Sequence, residues 1–408
     1  MPIASTRSIA IVLELTHARG AGVSRQRLAI LYALPVRWMP RLTPLTRQTV
    51  RMQQIVRAFL TAGLCVLLSG CSTPLTAKSG SPAPASVGST TPAATTSRSS
   101  ASTQYARVEL FRVPMQPEDL AVTTAQIFVA QADGGPRPPD VTSTVFEGPL
   151  DGGAAPREIS EARTPQGTGI LGVAVAGDVL YISASANGPT GMFGIFRVAN
   201  PPVAIAGGSS ISANRPDNGD GGAATAAALH GPQGIAFTST GDLFVAEAGD
   251  SRIRLIRSGV ISTYAGTGAC STGSAAPGGP AKTTALCNPG LVAVGRNGVI
   301  YAAQRIGSNW IVSIDPAGAV TTIANDFPIA GLAVDTDGSL LAADARAGRI
   351  VRIDTTGLPN ATSVVASSLG LIRGGLAVGT DGSIYFASSQ TSSSTAADWS
   401  IFRLRPVP

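Results

Sequence analysis

Residues 231–268 read GPQGIAFTSTGDLFVAEAGDSRIRLIRSGVISTYAGTG. Four short apolar runs, GIAF (234–237), LFVA (243–246), IRLI (253–256) and VISTYAG (260–266), are separated by the turn formers Thr240-Gly241-Asp242, Gly249-Asp250-Ser251 and Ser258-Gly259. Runs of this length, rich in Val, Ile, Phe and Tyr and punctuated by Gly, Asp and Ser, predict four strands of an antiparallel meander. Variants recur along the chain. The first-strand runs are DLAV, GVAV, GIAF, LVAV, GLAV and GLAV, with their alanine at 121, 174, 236, 293, 333 and 377. Seven or eight residues after each alanine stands an apolar residue of the second strand: Phe128, Tyr181, Phe244, Tyr301, Leu341 and Tyr385. Third strands follow as VFEG, IFRV, IRLI, IVSI, IVRI and IFRL. A near-constant offset over six units makes the repeat the unit of the fold.

The sixth unit stops after its third strand, at Ile401-Phe402-Arg403-Leu404, while RVELFRV (107–113) precedes the first unit unclaimed. If that strand supplies the missing fourth strand of the last unit, the ring closes and only short, protected edges remain. The expected fold is therefore all-β: one six-bladed β-propeller of four-stranded antiparallel blades over 105–408, closed by an N-terminal strand.

The stretch at 231–268 resembles the NHL repeat. Pro232, Gly234, Ile235, Ala236, Gly241, Leu243, Phe244, Val245, Ala246, Arg252 and Ile253 match that family's pattern, with Glu247 where the family usually has Asp. The preceding DGGAATAAALHGP (220–232) is similar to the linker between repeats of bacterial NHL propellers. The resemblance implies that acidic residues closing the second strand, such as Glu247 and Asp344, have a structural role, accepting hydrogen bonds from the next turn. It also implies that Asp217 and Asp220 are ordinary linker; they lack the spacing and terminal Glu of a Ca²⁺ loop.

Ahead of the repeats the composition changes. Of the chain's 30 basic and 24 acidic residues, nine arginines and one glutamate lie in residues 1–71, which leaves 21 basic against 23 acidic in the remainder. The basic charge belongs to the leader, and a nucleic-acid partner for the propeller loses its motive. Met52 opens MQQIVRAFLTAGLCVLLSGC, with an apolar run from Ala58 to Leu68 that is too short to span a bilayer but suits a signal peptide. Leu68-Ser69-Gly70-Cys71 resembles the bacterial lipobox, which implies cleavage before Cys71 and acylation of its thiol. Residues 1–51 then read as a non-native extension or, alternatively, as a long n-region, 52–70 as the signal peptide, and 71–104 as a lipidated cysteine with a Ser/Thr/Ala/Pro tether that cannot bury enough apolar surface to order itself. The implied location is the bacterial cell envelope, membrane-anchored by lipid; Ser72 permits the outer membrane of a Gram-negative cell.

Cys270 and Cys287 flank a Gly/Ala/Pro-rich insertion between units three and four. In an exported chain such a pair reads as a disulfide, worth roughly 3 kcal/mol for a loop of that length. After the leader, His230 is the one histidine. That excludes multi-histidine metal sites, and no GxSxG elbow accompanies it for a serine triad; it reads as a loop residue. The residues just before the first strands should line one mouth of the channel: Glu118, Gln233, Asn288 and Arg373, with Leu171 and Ile329 at the other two blades. One carboxylate, two amides and one guanidinium suit recognition of a protein or small ligand better than binding of Ca²⁺. The expectation is a monomeric binding or scaffolding module with no cofactor, no metal and no catalytic residue. The alternative is a metal-dependent lactonase of the six-bladed gluconolactonase-like type.

Overall fold

The computed structural model describes a backbone hairpin in the leader and most of 104–407. The exceptions are 115, 132–142, 163, 165–167, 187–192, 208–218, 271–277, 305–309, 325–326, 356–360 and 390–398. The chain divides into two units, Met1–Thr95 and Thr96–Pro408. In the first, Arg7–Arg19 and Gly22–Leu34 pair antiparallel in unbroken register from Arg7↔Leu34 to Arg19↔Gly22. The sequence reading assigned no element there, although IAIVLEL and LAILYAL are strand-like runs. The expected signal peptide at 52–70, Cys71 and the expected tether up to residue 103 lie outside the described residues.

The second unit is a six-bladed β-propeller. The innermost strands are Pro117–Val122, Thr168–Ala176, Pro232–Phe237, Pro289–Val294, Ile329–Val334 and Leu371–Val378, for blades 1 to 6 in order. Each packs against the inner strands of the blades before and after it, and blade 6 meets blade 1. The offset seen in the sequence is a cross-strand pair: Ala121↔Phe128, Ala174↔Tyr181, Ala236↔Phe244, Ala293↔Tyr301, Ala333↔Leu341 and Ala377↔Tyr385 stand opposite each other in the ladders. A small residue faces a large one six times because sheets converge on the axis and leave room for one bulky side chain per pair. The core is correspondingly divided. Six apolar clusters occupy the six blade junctions, as where Phe244, Ile253 and Ala246 of blade 3 pack on Val292, Ile300 and Trp310 of blade 4.

Ring closure is as expected. The last strand, Trp399–Pro406, pairs inward with Ile384–Ser389 and outward with Tyr105–Val113, from Trp399↔Val113 to Pro406↔Tyr105. Arg107 lies over the Phe402 ring at 3.7 Å and adds a cation–π contact to the seam. Blade 4 departs from four strands: Gly279–Pro280, from the insertion, pairs outside Ala319–Ala324 as a fifth. Cys270 and Cys287 form the disulfide that closes this insertion, with Cα atoms 4.3 Å apart.

Polar groups stitch the blades in a repeating way. An aspartate in the turn between first and second strands pairs with an arginine on the third strand: Asp242 with Arg257 at 2.7 Å, Asp337 with Arg352 at 2.7 Å, and Asp381 with Arg403 at 2.5 Å. Burial would raise the Asp337 carboxyl, but Ser339 and Arg352 outweigh it and hold its pKa at about 2. Asp119, the first residue of DLAV, accepts the Val173 N–H of blade 2 at 3.0 Å and joins neighbouring inner strands directly.

The residues that close the second strands divide in two. Asp344 behaves as the resemblance implies: Oδ1 accepts the N–H groups of Arg346 and Ala347, and Oδ2 accepts Arg349 Nε at 2.9 Å. Glu247 does otherwise, because one more methylene carries its carboxylate past the turn. It accepts the His230 N–H at 2.6 Å and pairs with Arg254 at 2.9 Å, both side chains fully buried. Arg254 also holds Asp220, so this linker aspartate has a structural partner that its sequence setting did not suggest.

Two outcomes follow for stability. Deleting residues 107–113 should expose the Trp399–Pro406 edge and strip one wall from the blade 6–blade 1 junction, costing several kcal/mol; a melting temperature equal to the parent's would contradict the closure. Arg254→Met should cost about 3–5 kcal/mol at pH 7, because it leaves Glu247 buried without its counter-charge. Burial already pushes the Glu247 carboxyl up despite Arg254. Without Arg254 it rises further, and a raised carboxyl favours the fold below its unfolded value and disfavours it as pH climbs. Denaturant unfolding of the two proteins should therefore show a gap that narrows between pH 7 and pH 5.

Candidate functional site

The meander places the starts of the inner strands, and the turns between second and third strands, at one end of the channel. That end carries a cavity of about 250 Å³ where the inner strands of blades 5, 6 and 1 begin, and the blade 5 turn bearing Arg346 completes its wall. Glu118 and Arg373, both expected at the mouth, line it together; Gln233 and Asn288 do not. The Gln233 carbonyl accepts the Ser183 hydroxyl at 2.5 Å and so ties blade 2 to blade 3. Asn288, exposed beside the disulfide, takes a left-handed φ of 46°, a conformation asparagine adopts more readily than most residues. Its N–H donates to Ser251 Oγ. Both residues serve the backbone at the mouth.

One local device aims these side chains. Every inner strand breaks register near its start: at Pro117/Asp119, Ile170/Gly172, Pro232/Ile235, Pro289/Leu291, Ile329/Gly331 and Arg373/Leu376. A bulge inserts extra backbone and re-aims its side chain. Glu118, Leu171 and Gln233 sit in such bulges. In blade 6 the irregularity spans Gly374 and Gly375, at φ of 70° and 82°. A Cβ on Gly374 would stand 2.6 Å from that of Pro117, and one on Gly375 would stand 2.3 Å from Asp119 Oδ1. Only glycine lets the two backbones approach this closely. The same approach brings Arg373 alongside the Glu118 strand.

The cavity's charge is set by three groups. Gln116 Nε2 donates to Glu118 Oε1 at 3.2 Å and orients the carboxylate. Asp344 clamps the turn that carries Arg346 through backbone N–H groups and spends its other oxygen on Arg349. Among the described residues neither the Arg346 nor the Arg373 guanidinium has a hydrogen bond or ion pair with a protein group. Pro117, Pro328, Ile329, Ala330 and Leu371 supply apolar wall. Two cations and one carboxylate repel a divalent cation, and among the described residues no three His, Cys, Asp or Glu side chains gather as a metal site. His230 Nδ1 lies 3.1 Å from Asp250 Oδ1 in a turn beside blade 3, half exposed.

A larger hollow of about 880 Å³ opens at the other end, among the first turns of blades 3 to 5. Its arginines are already engaged: Arg257 with Asp242, and Arg296 with the Thr336 carbonyl. In the mouth cavity, by contrast, Arg346 and Arg373 have no such partner among the described residues. Arg346 was readable as a turn residue in the sequence but not as a partner of Arg373, since 26 residues separate them. The doubled glycine at 374–375, unique among the six first-strand runs, was the visible signal of the close approach.

No known protein family and no curated protein matches the chain by sequence. Solved structures are similar to it in fold. A gluconolactonase from Xanthomonas campestris is 13% identical with a TM-score of 0.51, the match covering 76% of this chain and 92% of that one. A streptogramin B lyase is 16% identical with a TM-score of 0.44 over 74% and 98%. Virginiamycin B lyase from Staphylococcus aureus is 15% identical with a TM-score of 0.43 over 74% and 99%. At these identities the likeness is one of fold.

Proposed function

We propose that this chain is an exported lipoprotein of the bacterial cell envelope, tethered through Cys71, whose NHL-type propeller is a binding module. The observation that carries the reading is the mouth cavity, where Arg346 and Arg373 present guanidinium groups without partners among the described residues, beside Glu118. Groups that stabilise a fold are satisfied within it. A rigid wall that holds satisfied turns and leaves two cations over is suited to recognition. Acid–base catalysis at neutral pH makes a further demand, a group titrating near 7 within reach of a substrate. The one histidine after the leader, His230, lies outside the mouth cavity.

The propeller binds as a monomer, and its anchor is the membrane lipid on Cys71. The gluconolactonase-like alternative draws on fold likeness alone, which hosts many chemistries.

Two measurements test the proposal. Cys71→Ser should move the protein from the membrane fraction of cells to the soluble fraction and abolish uptake of labelled fatty acid. A variant that still sediments, from a parent that takes up no label, refutes the anchor. Separately, the purified protein should turn over no lactone or ester in a panel assayed with and without Ca²⁺, Mg²⁺ and Zn²⁺. Metal-dependent turnover lost in Glu118→Gln would establish the lactonase in place of the binding module.

A further inference from the structure

Resting on the reading of the mouth as a binding site, we propose that its ligand is a small aliphatic monocarboxylate bearing a hydrogen-bond donor, such as a 2-amino or 2-hydroxy acid. Arg346 and Arg373 would hold the carboxylate and Glu118 would accept from the donor group. Each part of the ligand answers to a feature of the cavity. A guanidinium presents N–H groups in a fixed fork that matches a planar oxyanion, and two such forks from different blades converge on one space. Among the described residues neither has an ion-pair partner, so an anion from solution displaces none of them.

The charge of the site sets the charge of the ligand. Two guanidinium groups and one carboxylate leave the cavity at about +1. A monoanion balances this, whereas a phosphate dianion would also face Glu118 across a partly desolvated space. Glu118 has a further consequence. An ionised carboxylate only accepts hydrogen bonds, so the ligand atom nearest it must donate, as an ammonium or hydroxyl does. Gln116 donates to its Oε1 from one side at 3.2 Å.

Size and wall complete the assignment. At about 250 Å³ the cavity is smaller than the sites that take drug-sized molecules, which run from about 300 to 1,000 Å³. Leu371, Ile329 and the prolines give it an apolar side, which suits a short aliphatic body between the two polar groups. The inner strands that carry Arg373 and Glu118 are pressed together at Gly374–Gly375, so the spacing between the two polar groups is held by backbone and not by flexible loops.

Isothermal titration of the full-length protein would use matched compounds on the same aliphatic skeletons: 2-amino, 2-hydroxy and unsubstituted monocarboxylates, the methyl esters and amides of these acids, the corresponding amines, and the corresponding phosphate monoesters. Saturable binding is expected for the free acids alone. Arg346→Gln and Arg373→Gln should each weaken it about tenfold or more, the loss expected for one charge-assisted contact. Glu118→Gln should abolish the preference for 2-amino acids over unsubstituted acids while retaining carboxylate binding. Circular dichroism and melting temperature of each variant would show that the propeller is intact. Tighter binding of the phosphates, binding of free acids that neither arginine variant weakens, or no binding of any free acid overturns the assignment. If esters or amines bind and Glu118→Gln removes them, the mouth is a binding site for a different class, and only this inference fails. Metal-dependent lactone turnover would instead remove the binding reading beneath it.

Discussion

The pairing of Trp399–Pro406 with Tyr105–Val113 is the constraint on which the rest of the propeller depends. A blade is a small sheet with apolar residues on both faces, and it is stable only when another blade covers each face. Five of the six junctions form between blades adjacent in sequence and need no long-range connection. The sixth, between blade 6 and blade 1, joins residues almost 300 positions apart and buries Phe111, Val113, Leu120, Tyr385, Trp399 and Ile401. Lending the first strand of the domain to the last blade anchors the chain that runs on into blade 1 within blade 6 by ladder hydrogen bonds. Without it two blades would each present an uncovered face, and the last strand would present an open edge.

That seam also shapes the mouth. Blade 6 enters with two consecutive glycines in left-handed conformation against Pro117 and Asp119. The chain crosses from its end to its beginning at the same point where Glu118 and Arg373 share a cavity wall. Closure and the proposed binding site therefore draw on one piece of geometry. A side chain added at Gly374 would push blade 1 outward and separate the two polar groups even if the ring still formed.

Much of the architecture was legible in the sequence because it is periodic. The alanine at 121, 174, 236, 293, 333 and 377 and the apolar residue seven or eight positions later mark opposed residues of a ladder, and a spacing set by hairpin geometry survives large changes of side chain. The orphan strand near 107–113 and the truncated sixth unit were two ends of one pairing. The site was legible in part. Glu118 and Arg373 could be placed at the mouth by register, since the inner strands all begin there. Arg346 could not be joined to them, because its position depends on how blade 5 leans on blade 6, a tertiary quantity with no local signature. Asn288 and Gln233 have the right register but spend their backbone groups on turn and blade contacts. Arg254 was hidden for a different reason: an arginine inside an apolar third strand resembles its neighbours Arg352 and Arg403, yet it turns to the buried Glu247 and Asp220 while they turn to the first turn of their own blades.

The arginines divide between those paired with aspartates in the blades and those that line the mouth. At the end of the first turns, Arg257, Arg352 and Arg403 each meet an aspartate one strand away, and the pairs repeat with the blades. Such pairs add little individually when exposed, but they fix the twist of three strands and neutralise charge in place. At the mouth, Arg349 is held by Asp344, and the same aspartate steadies the backbone of Arg346 without reaching its guanidinium. A single carboxylate thus satisfies one arginine and presents another. That aspartate belongs to blade 5 alone, since the other second strands close in Gln131, Ala186, Glu247, Gln304 and Ser389; with an arginine two residues after it, at a junction where the next blade adds Arg373, two guanidinium groups line one cavity.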